Sequence, residues 1–502
     1  MGKFTRRAML TAAGAAFATA AVGSAFGVNI LRRRPKNVVF VICDALRADR
    51  IGYYGYRGQT VAGPVNPTPA LDELAENGLV FERCVAPSSW TLESVAAIVS
   101  SRLPLVEGNE YNEGFAPAKD ATIAETLKGA NYSTLAVVSN PWLSVNSDTG
   151  SRMLAARGFD VWNVPATEMV ANPLHARSIG SPLVYERYTG AKEIVDSAIR
   201  LISSRSVEDG PFYLYLHLMD THEPYNPPER YKIACTTDSA GLVPDFLLYQ
   251  FLRSIGRARG KEELTDADTH FFLRAKDLYD ASVRYVDDSL RTLIGFFRER
   301  GLFDNTLFVF SSDHGEEFGE HQWIGHSRTL YQESLRSPLI FFGAGVAPGA
   351  RVSDPVSSLD IAPTILRECG ARIPQSMFGR PLDLSGATER DPLVAVSALT
   401  RPCEPGEIFE KMYALSDPRG MTLIRHEYQG SMAGQPPKSE LYDRRKDPLE
   451  EADVTAANPT VIAALEKQLQ LIRDSHKSGA GKGLKLDDKA RQALKALGYL
   501  NG

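Results

Sequence analysis

Two segments of this chain end an apolar run on side chains that can hold a metal ion. The first is Phe308-Val-Phe-Ser-Ser-Asp-His-Gly-Glu-Glu-Phe-Gly-Glu-His321, where an apolar stretch runs straight into Asp313-His314-Gly315. Carboxylate oxygen beside imidazole nitrogen suits zinc or manganese; calcium would want more oxygens. Gly315 lets the backbone turn tightly and come close to an ion. His321 and His326 follow, so three of the nine histidines fall between positions 314 and 326. The second segment is Val41-Ile-Cys-Asp-Ala-Leu-Arg-Ala-Asp49, where Asp44 ends an apolar run and either faces a site or caps the next helix. A hydroxyl candidate is Thr91, at or near the first residue of a helix within Ala86–Ser100. There the free backbone N–H groups favour an anion, but Thr91 or Ser89 would serve equally well as an N-cap. In Leu216-His-Leu-Met-Asp-Thr-His-Glu-Pro-Tyr225, His217 reads as a packed strand residue. His222 lies in the following loop, where it is better placed to face a substrate.

These residues need a scaffold, and the apolar runs supply one. Asn37–Cys43 is continuous, β-branched and short, the pattern of a buried parallel strand. Similar runs recur at Thr134–Val138, Phe212–Leu218, Thr306–Phe310 and Pro338–Phe342. Helical patterns lie between them at Leu71–Asn77, Ile123–Gly129, Ala191–Ser203 and about Phe271–Gly301. Strands alternating with helices argue for an α/β fold with a mostly parallel central sheet covered on both faces. In such sheets function sits beyond the carboxyl ends of the strands, which is where Asp44, Asp313 and His222 fall. After Asp391 the pattern changes to short strands (Leu393–Ala398, Lys411–Leu415, Met421–Arg425) and helices at Pro459–Ser475 and Asp487–Leu497. The expected organisation is an N-terminal address over 1–35, a catalytic domain over 36–390 and a smaller C-terminal α+β subdomain over 391–502.

The chain has 502 residues, 43% hydrophobic and 23% charged, with a formal charge of −5. That excludes a disordered chain and a disulfide scaffold, and gives no basic footprint for nucleic acid. Five cysteines form no C-x-x-C pattern, and an odd count leaves at least one thiol unpaired within the chain. The N-terminus carries Lys3, Arg6 and Arg7 ahead of an uncharged stretch, Met9–Ala25, with small residues at Ala18, Ala20 and Ala25. This resembles a bacterial twin-arginine export signal, so the expected location is periplasmic or otherwise extracytoplasmic, with the twin-arginine translocase as a transient partner. A short membrane anchor is the alternative reading.

Taken together, the motifs resemble the sulfatase family of the alkaline phosphatase superfamily over about residues 36–370. The matching pieces are Cys43–Tyr56, Trp90–Pro104, Asp220–Tyr225, Ser312–Glu316 and Ser358–Leu366, with a tail piece in Glu440–Glu450. The resemblance implies an alkaline-phosphatase-like fold, a metal held by Asp44, Asp313 and His314, and a nucleophile at Thr91. It implies an anionic ester, small or polymeric, as substrate.

The departures from that family pattern carry as much information. The usual C-x-P-x-R or S-x-P-x-R motif, whose first residue becomes formylglycine, is absent. Counting back thirteen positions from Pro104 places Thr91 at the head, with Glu93 and Val95 where proline and arginine are expected. The usual second Asp after the first strand is Ala45, and His326 stands where relatives often carry lysine. Formylglycine hydrate expels sulfate by collapsing to an aldehyde, whereas a threonine ester must be opened by attack at sulfur or phosphorus. Threonine nucleophiles resemble the phosphodiesterase and phosphoglycerol-transferase branches. Two-metal relatives often carry Asp-x-x-x-His; Asp220 and His222 are only two apart, so a single divalent ion is expected, zinc or manganese ahead of calcium. The expected activity is hydrolysis of phosphate or sulfate esters through Thr91, with His222 or His326 protonating the leaving group. A sulfatase proper, an envelope transferase and a non-catalytic binding protein are the alternatives.

Overall fold

The computed structural model describes residues 37–60, 63–104, 121–140, 143, 154–165, 168–171, 184–187, 189–223, 225–235, 266–321, 323–386, 395–404, 407–428 and 433–477. The export signal around Arg6-Arg7 and the expected helix Asp487–Leu497 lie outside the described residues.

A nine-stranded sheet forms the centre. Its strands are β1 (Asn37–Cys43), β2 (Leu79–Val85), β3 (Ser133–Val138), β4 (Val161–Asn163), β5 (Phe212–Leu218), β6 (Thr306–Ser311), β7 (Arg336–Gly343), β8 (Ala350–Val352) and β9 (Val356–Ser357). The order is β8-β2-β7-β6-β1-β5-β3-β4, with β9 also paired to β2. All neighbours run parallel except β7, which is antiparallel to both β6 and β2. The apolar run of β1 is wholly buried, as expected for a central parallel strand covered on both faces.

Alternation along the strands sends side chains to two cores. Val39, Val41, Leu214 and Leu216 pack with helices α1 (Pro69–Glu76), α4 (Ala191–Ser203) and α5 (Asp266–Glu299). Val38, Phe40, Ile42, Tyr213 and Tyr215 pack on the other face with α2 (Thr91–Ser100), α3 (Ile123–Gly129) and α6 (Ile361–Glu368). The central strands are anchored from both sides, so their carboxyl ends are held in place.

Strand β2 is not evident in the sequence because Glu82 and Arg83 interrupt its apolar run. Both are half-buried and turn away from the core at the side of the sheet, where Glu82 pairs with Arg351 of β8. The reversed direction of β7 has no local sequence signature either, since direction follows from the connection and not from composition.

The C-terminal unit is an antiparallel sheet of β10 (Ala395–Glu404), β11 (Glu407–Ser416), β12 (Met421–Tyr428) and β13 (Lys438–Asp443). Helix α7 (Pro459–Lys477) covers one face through Leu465, Leu469 and Ile472. The other face packs Met412, Ala414, Ile424 and Tyr442 against Val85, Ala86, Leu330 and Leu335 of the large domain. Polar contacts reinforce this junction. His321 pairs through Nδ1 with Glu333, reaches the Glu450 carbonyl with Nε2 at 3.0 Å, and stacks on Tyr331 at 3.7 Å.

Burial opposes the charge of His321, but Glu333 overrides it and pushes the imidazole up to about 9. A folded-state value above the unfolded value of about 6.5 gives stability that is complete below about pH 6.5 and lost as pH rises through about 9. Equilibrium urea denaturation checks this. The midpoint of His321→Gln should lie below wild type at pH 6, and the gap should close by pH 9 to 10. A gap that does not change with pH would show that His321 contributes only packing.

Candidate active site

The sheet register brings four carboxyl ends together. Ile42 of β1 pairs with Ser311 of β6 on one side and His217 of β5 on the other, and Val138 of β3 also pairs with His217. Asp44 follows β1 directly, Asp313 follows β6 by two residues and Asn140 follows β3 by two. The turn after β1 is unusual. Ala45 is left-handed at φ 58°, a conformation that costs a residue with a Cβ about 1–2 kcal/mol. Tyr279 of α5 holds it, donating its hydroxyl to the Ala45 carbonyl at 2.7 Å and accepting from the Arg47 N–H at 2.8 Å. As a result the Ala45 N–H reaches Asp313 Oδ1 at 3.1 Å and the two carboxylates face each other.

Around them the geometry is tight. His314 Nε2 lies 3.6 Å from Asp44 Oδ1 and 3.6 Å from Asp313 Oδ2. Its Nδ1 donates to the Gly315 carbonyl at 2.9 Å, which leaves Nε2 as the lone-pair nitrogen facing the carboxylates. Asn140 Nδ2 donates to Asp44 Oδ2 at 3.2 Å. The Thr91 hydroxyl stands 3.1 Å from His314 Nε2 and 3.4 Å from each Asp44 oxygen.

Thr91 is the first residue of α2, and the N-cap is Trp90, with no side-chain capping bond. Ser89 donates instead to the Thr329 carbonyl at 2.7 Å. Neither hydroxyl therefore caps the helix, and Thr91 points into the carboxylate cluster. Glu93 is buried and accepts from Ser88 at 2.7 Å, and Val95 is fully buried in the core. Both positions that depart from the formylglycine motif are thus built into the packing around Thr91.

The residues present fit a cation. Asp44 and Asp313 are 0% exposed, and neither pairs with a Lys or Arg among the described residues. Burial first, and then the charge of Asp313, pushes the Asp44 carboxyl well above the ordinary range. Asp313 Oδ1 accepts from two backbone N–H groups, while its Oδ2 is buried with no hydrogen-bond partner. Asp44, His217 and Asp313 each offer a ligand atom within 4.8 Å of the others. His217 is a packed strand residue, as its run of apolar neighbours indicates, but both its ring nitrogens lack a hydrogen-bond partner.

The other histidines separate into two places. His222 and His326 stand edge to face at 4.6 Å, and His326 stacks on His314 at 4.6 Å. His326 Nδ1 donates to buried Glu316 at 2.9 Å and His222 Nδ1 to the Glu223 carbonyl at 2.6 Å. His321 is not part of this group, since it serves the domain junction. Asp220 is half-buried and bonded to the first N–H of α4, and desolvation of its carboxyl pushes it up to about 7. Three contributors are absent from the sequence reading. Asn140 was within reach of the strand-end rule. The tie of Glu316 to His326 bridges ten residues through a loop, and the hold of Arg47 on the Glu316 carbonyl at 2.9 Å is non-local. No spacing rule reports either contact.

Gly315 has a different role from the one its position suggests. A Cβ there would lie 1.9 Å from the Glu333 carbonyl oxygen, because the loop packs directly on the Glu333–Ser334 backbone. Its N–H donates to the Ser334 carbonyl at 2.8 Å, and the Glu316 N–H to the Glu333 carbonyl at 3.1 Å. Gly315→Ala must displace the Asp313–His314 loop. Overpacking of this kind costs about 1–3 kcal/mol, so both the thermal midpoint and divalent-metal affinity should fall together. A variant of unchanged midpoint and affinity would contradict the close packing.

Comparison with known proteins agrees with this architecture. The sequence model of the sulfatase family matches residues 36–371. An ulvan-active sulfatase of Formosa agariphila is 25% identical over 88% of this chain and 82% of its own length. Human arylsulfatase A is 26% identical over 89% of this chain and 90% of its own. In fold, the chain superposes on the phosphonate monoester hydrolase of Agrobacterium radiobacter with a TM-score of 0.65, covering 88% of this chain and 96% of that one at 19% identity. A match over this span, on a sheet that gathers two Asp, a His and a hydroxyl at its carboxyl edge, places the chain in the sulfatase family, among the hydrolases of the alkaline-phosphatase-like superfamily.

Proposed function

We propose that this enzyme hydrolyses phosphoric or phosphonic esters through a covalent Thr91 intermediate, with Asp44, Asp313 and His314 as ligands of one divalent metal. The observation that carries the reading is the Thr91 hydroxyl, uncapped at a helix N-terminus and 3.1–3.4 Å from His314 and Asp44. A metal in that cluster would supply the positive charge that lowers the hydroxyl pKa and neutralises a non-bridging ester oxygen.

The chain's own groups do the rest. The Thr91 hydroxyl releases its proton to solvent, Oγ1 attacks phosphorus in line, the bond to the leaving oxygen breaks, and the threonine carries the phosphoryl group. The first N–H groups of α2 have no intrahelical partners and face the equatorial oxygens. Asn140 orients Asp44. His326, held by Glu316, or His222 beside it, gives a proton to the departing alkoxide. Water, activated by the same histidines in reverse, then opens the threonine ester and regenerates the hydroxyl. A threonine ester has no aldehyde to collapse to, so the second step is again a displacement. This favours phosphoesters over the sulfate esters named for several relatives. A phosphonate monoester hydrolase shares the fold, which is consistent with such a substrate. Export of the folded enzyme by the twin-arginine route belongs to the same proposal and rests on Arg6-Arg7 before Met9–Ala25.

A panel of aryl phosphate monoesters, diesters, phosphonates and sulfates, assayed with Mn²⁺ or Zn²⁺, tests the reading. Phosphorus esters should turn over faster than the matched sulfate. Thr91→Ala should lose at least ~10³-fold in turnover with folding intact, as expected when a nucleophile acting as a unit with its activating group is removed. Thr91→Ser should keep substantial activity. Full activity in Thr91→Ala would mean that water attacks the substrate directly.

A further inference from the structure

We infer that His217 is a further ligand of the divalent metal, and that the resulting set of two carboxylates and two imidazoles selects zinc or manganese over calcium. The inference rests on the assignment of Asp44, Asp313 and His314 above and adds a residue to it.

His217 is the sole polar side chain near the carboxyl end of β5, among Phe212, Leu214, Leu216 and Leu218, all buried. Alternation along β5 puts it on the face of Tyr213 and Tyr215. It is 0% exposed, and neither Nδ1 nor Nε2 has a hydrogen-bond partner. A buried imidazole kept only for packing would find a carbonyl or hydroxyl, because leaving a polar group bare costs about 1–3 kcal/mol. What His217 faces instead is the carboxylate pair. Its Nε2 lies 3.7 Å from Asp44 Oδ2, too long for a hydrogen bond, and it shares a 4.8 Å cluster with Asp44 and Asp313.

That spacing is what a metal would require. With metal–ligand bonds of about 2.0–2.1 Å, ligand atoms at a tetrahedral angle stand about 3.4 Å apart. The separations are 3.6 Å for Asp44 to His314, 3.6 Å for His314 to Asp313 and 3.7 Å for Asp44 to His217. His217 shares a 4.8 Å cluster with Asp44 and Asp313, and His314 Nε2 lies 3.6 Å from an oxygen of each, so an ion held by the two carboxylates has an imidazole nitrogen close by from each of two strand ends. The residue after Asp44 offers nothing, since it is Ala45, so the second ligand on this side of the sheet comes from the neighbouring strand. Replacing an oxygen ligand with an imidazole nitrogen moves the preference away from calcium, which takes 6–8 oxygens, towards zinc and manganese.

The test uses the full chain stripped with chelator and titrated calorimetrically with Zn²⁺, Mn²⁺ and Ca²⁺. His217→Ala and His217→Phe are compared with wild type, and Asp313→Ala serves as a reference. Both His217 variants should bind Zn²⁺ about tenfold or more weakly, with a smaller change for Ca²⁺, while their metal-free melting transitions stay close to wild type. X-ray absorption of the zinc-loaded wild type should show two imidazoles. That measurement needs no variant and holds even if substitution of a central strand prevents folding. One imidazole in the wild type, or unchanged zinc affinity in both His217 variants, overturns the inference. Absence of metal binding by the wild type, or unchanged binding in Asp313→Ala, overturns instead the assignment on which it rests.

Discussion

Two carboxylates, Asp44 and Asp313, are buried completely and face each other across the carboxyl ends of adjacent parallel strands. Neither has a Lys or Arg to neutralise it among the described residues. Such burial costs several kcal/mol per ion even after relaxation, and much of the surrounding structure serves to impose it. The wholly buried β1 and β6 fix the depth of the two residues. The left-handed turn at Ala45, clamped by Tyr279, directs a backbone N–H at Asp313. Ser94 of α2 donates to the Asp313 carbonyl at 2.6 Å, which ties the Thr91 helix to the same strand end. A site assembled against its own electrostatic preference in this way is organised for a cation.

The C-terminal sheet belongs to this arrangement. It packs on Val85, Ala86, Leu330 and Leu335, which flank both reactive loops. Ser397 donates to the Ala86 carbonyl at 2.6 Å and the Ala398 N–H to the Pro87 carbonyl at 2.9 Å, supporting the segment that leads to Thr91. On the other side, the short turn of helix Gln332–Leu335 carries Glu333 and Ser334 against Gly315, and Glu450 accepts from the Gln332 N–H at 3.0 Å. The nucleophile loop and the metal loop thus rest on one antiparallel sheet, so disturbance of that sheet should reach both.

Much of this is legible in the sequence because the chemistry is concentrated at strand ends. The apolar run before Asp44 and the run before Asp313-His314 show both the strand and the residue it presents. The bounds of β1, β5, α3 and α4 follow directly from apolar periodicity. What escapes is everything set by register. His217 looks like core because its neighbours are apolar, and only the pairing with Ile42 and Val138 shows what it faces. His321 looks like a member of the histidine cluster, and only the fold turns it towards Glu333 and Glu450. Glu82-Arg83 conceal β2. Gly315 suggests room for an ion, whereas the close neighbour is the backbone of Glu333.

The central claim is that a threonine hydroxyl carries the reacting group. Glu93 and Val95 are fixed by packing where the formylglycine motif would need proline and arginine, and Thr91 presents its hydroxyl to the cluster from the helix N-terminus. The most direct measurement is an acid quench of the enzyme during turnover of an activated aryl phosphorus ester, followed by mass spectrometry of the peptide containing Thr91. The account predicts a peptide heavier by one substrate-derived phosphorus group, located on Thr91 and absent from Thr91→Ala. A peptide that stays unmodified through a burst of product release would contradict it.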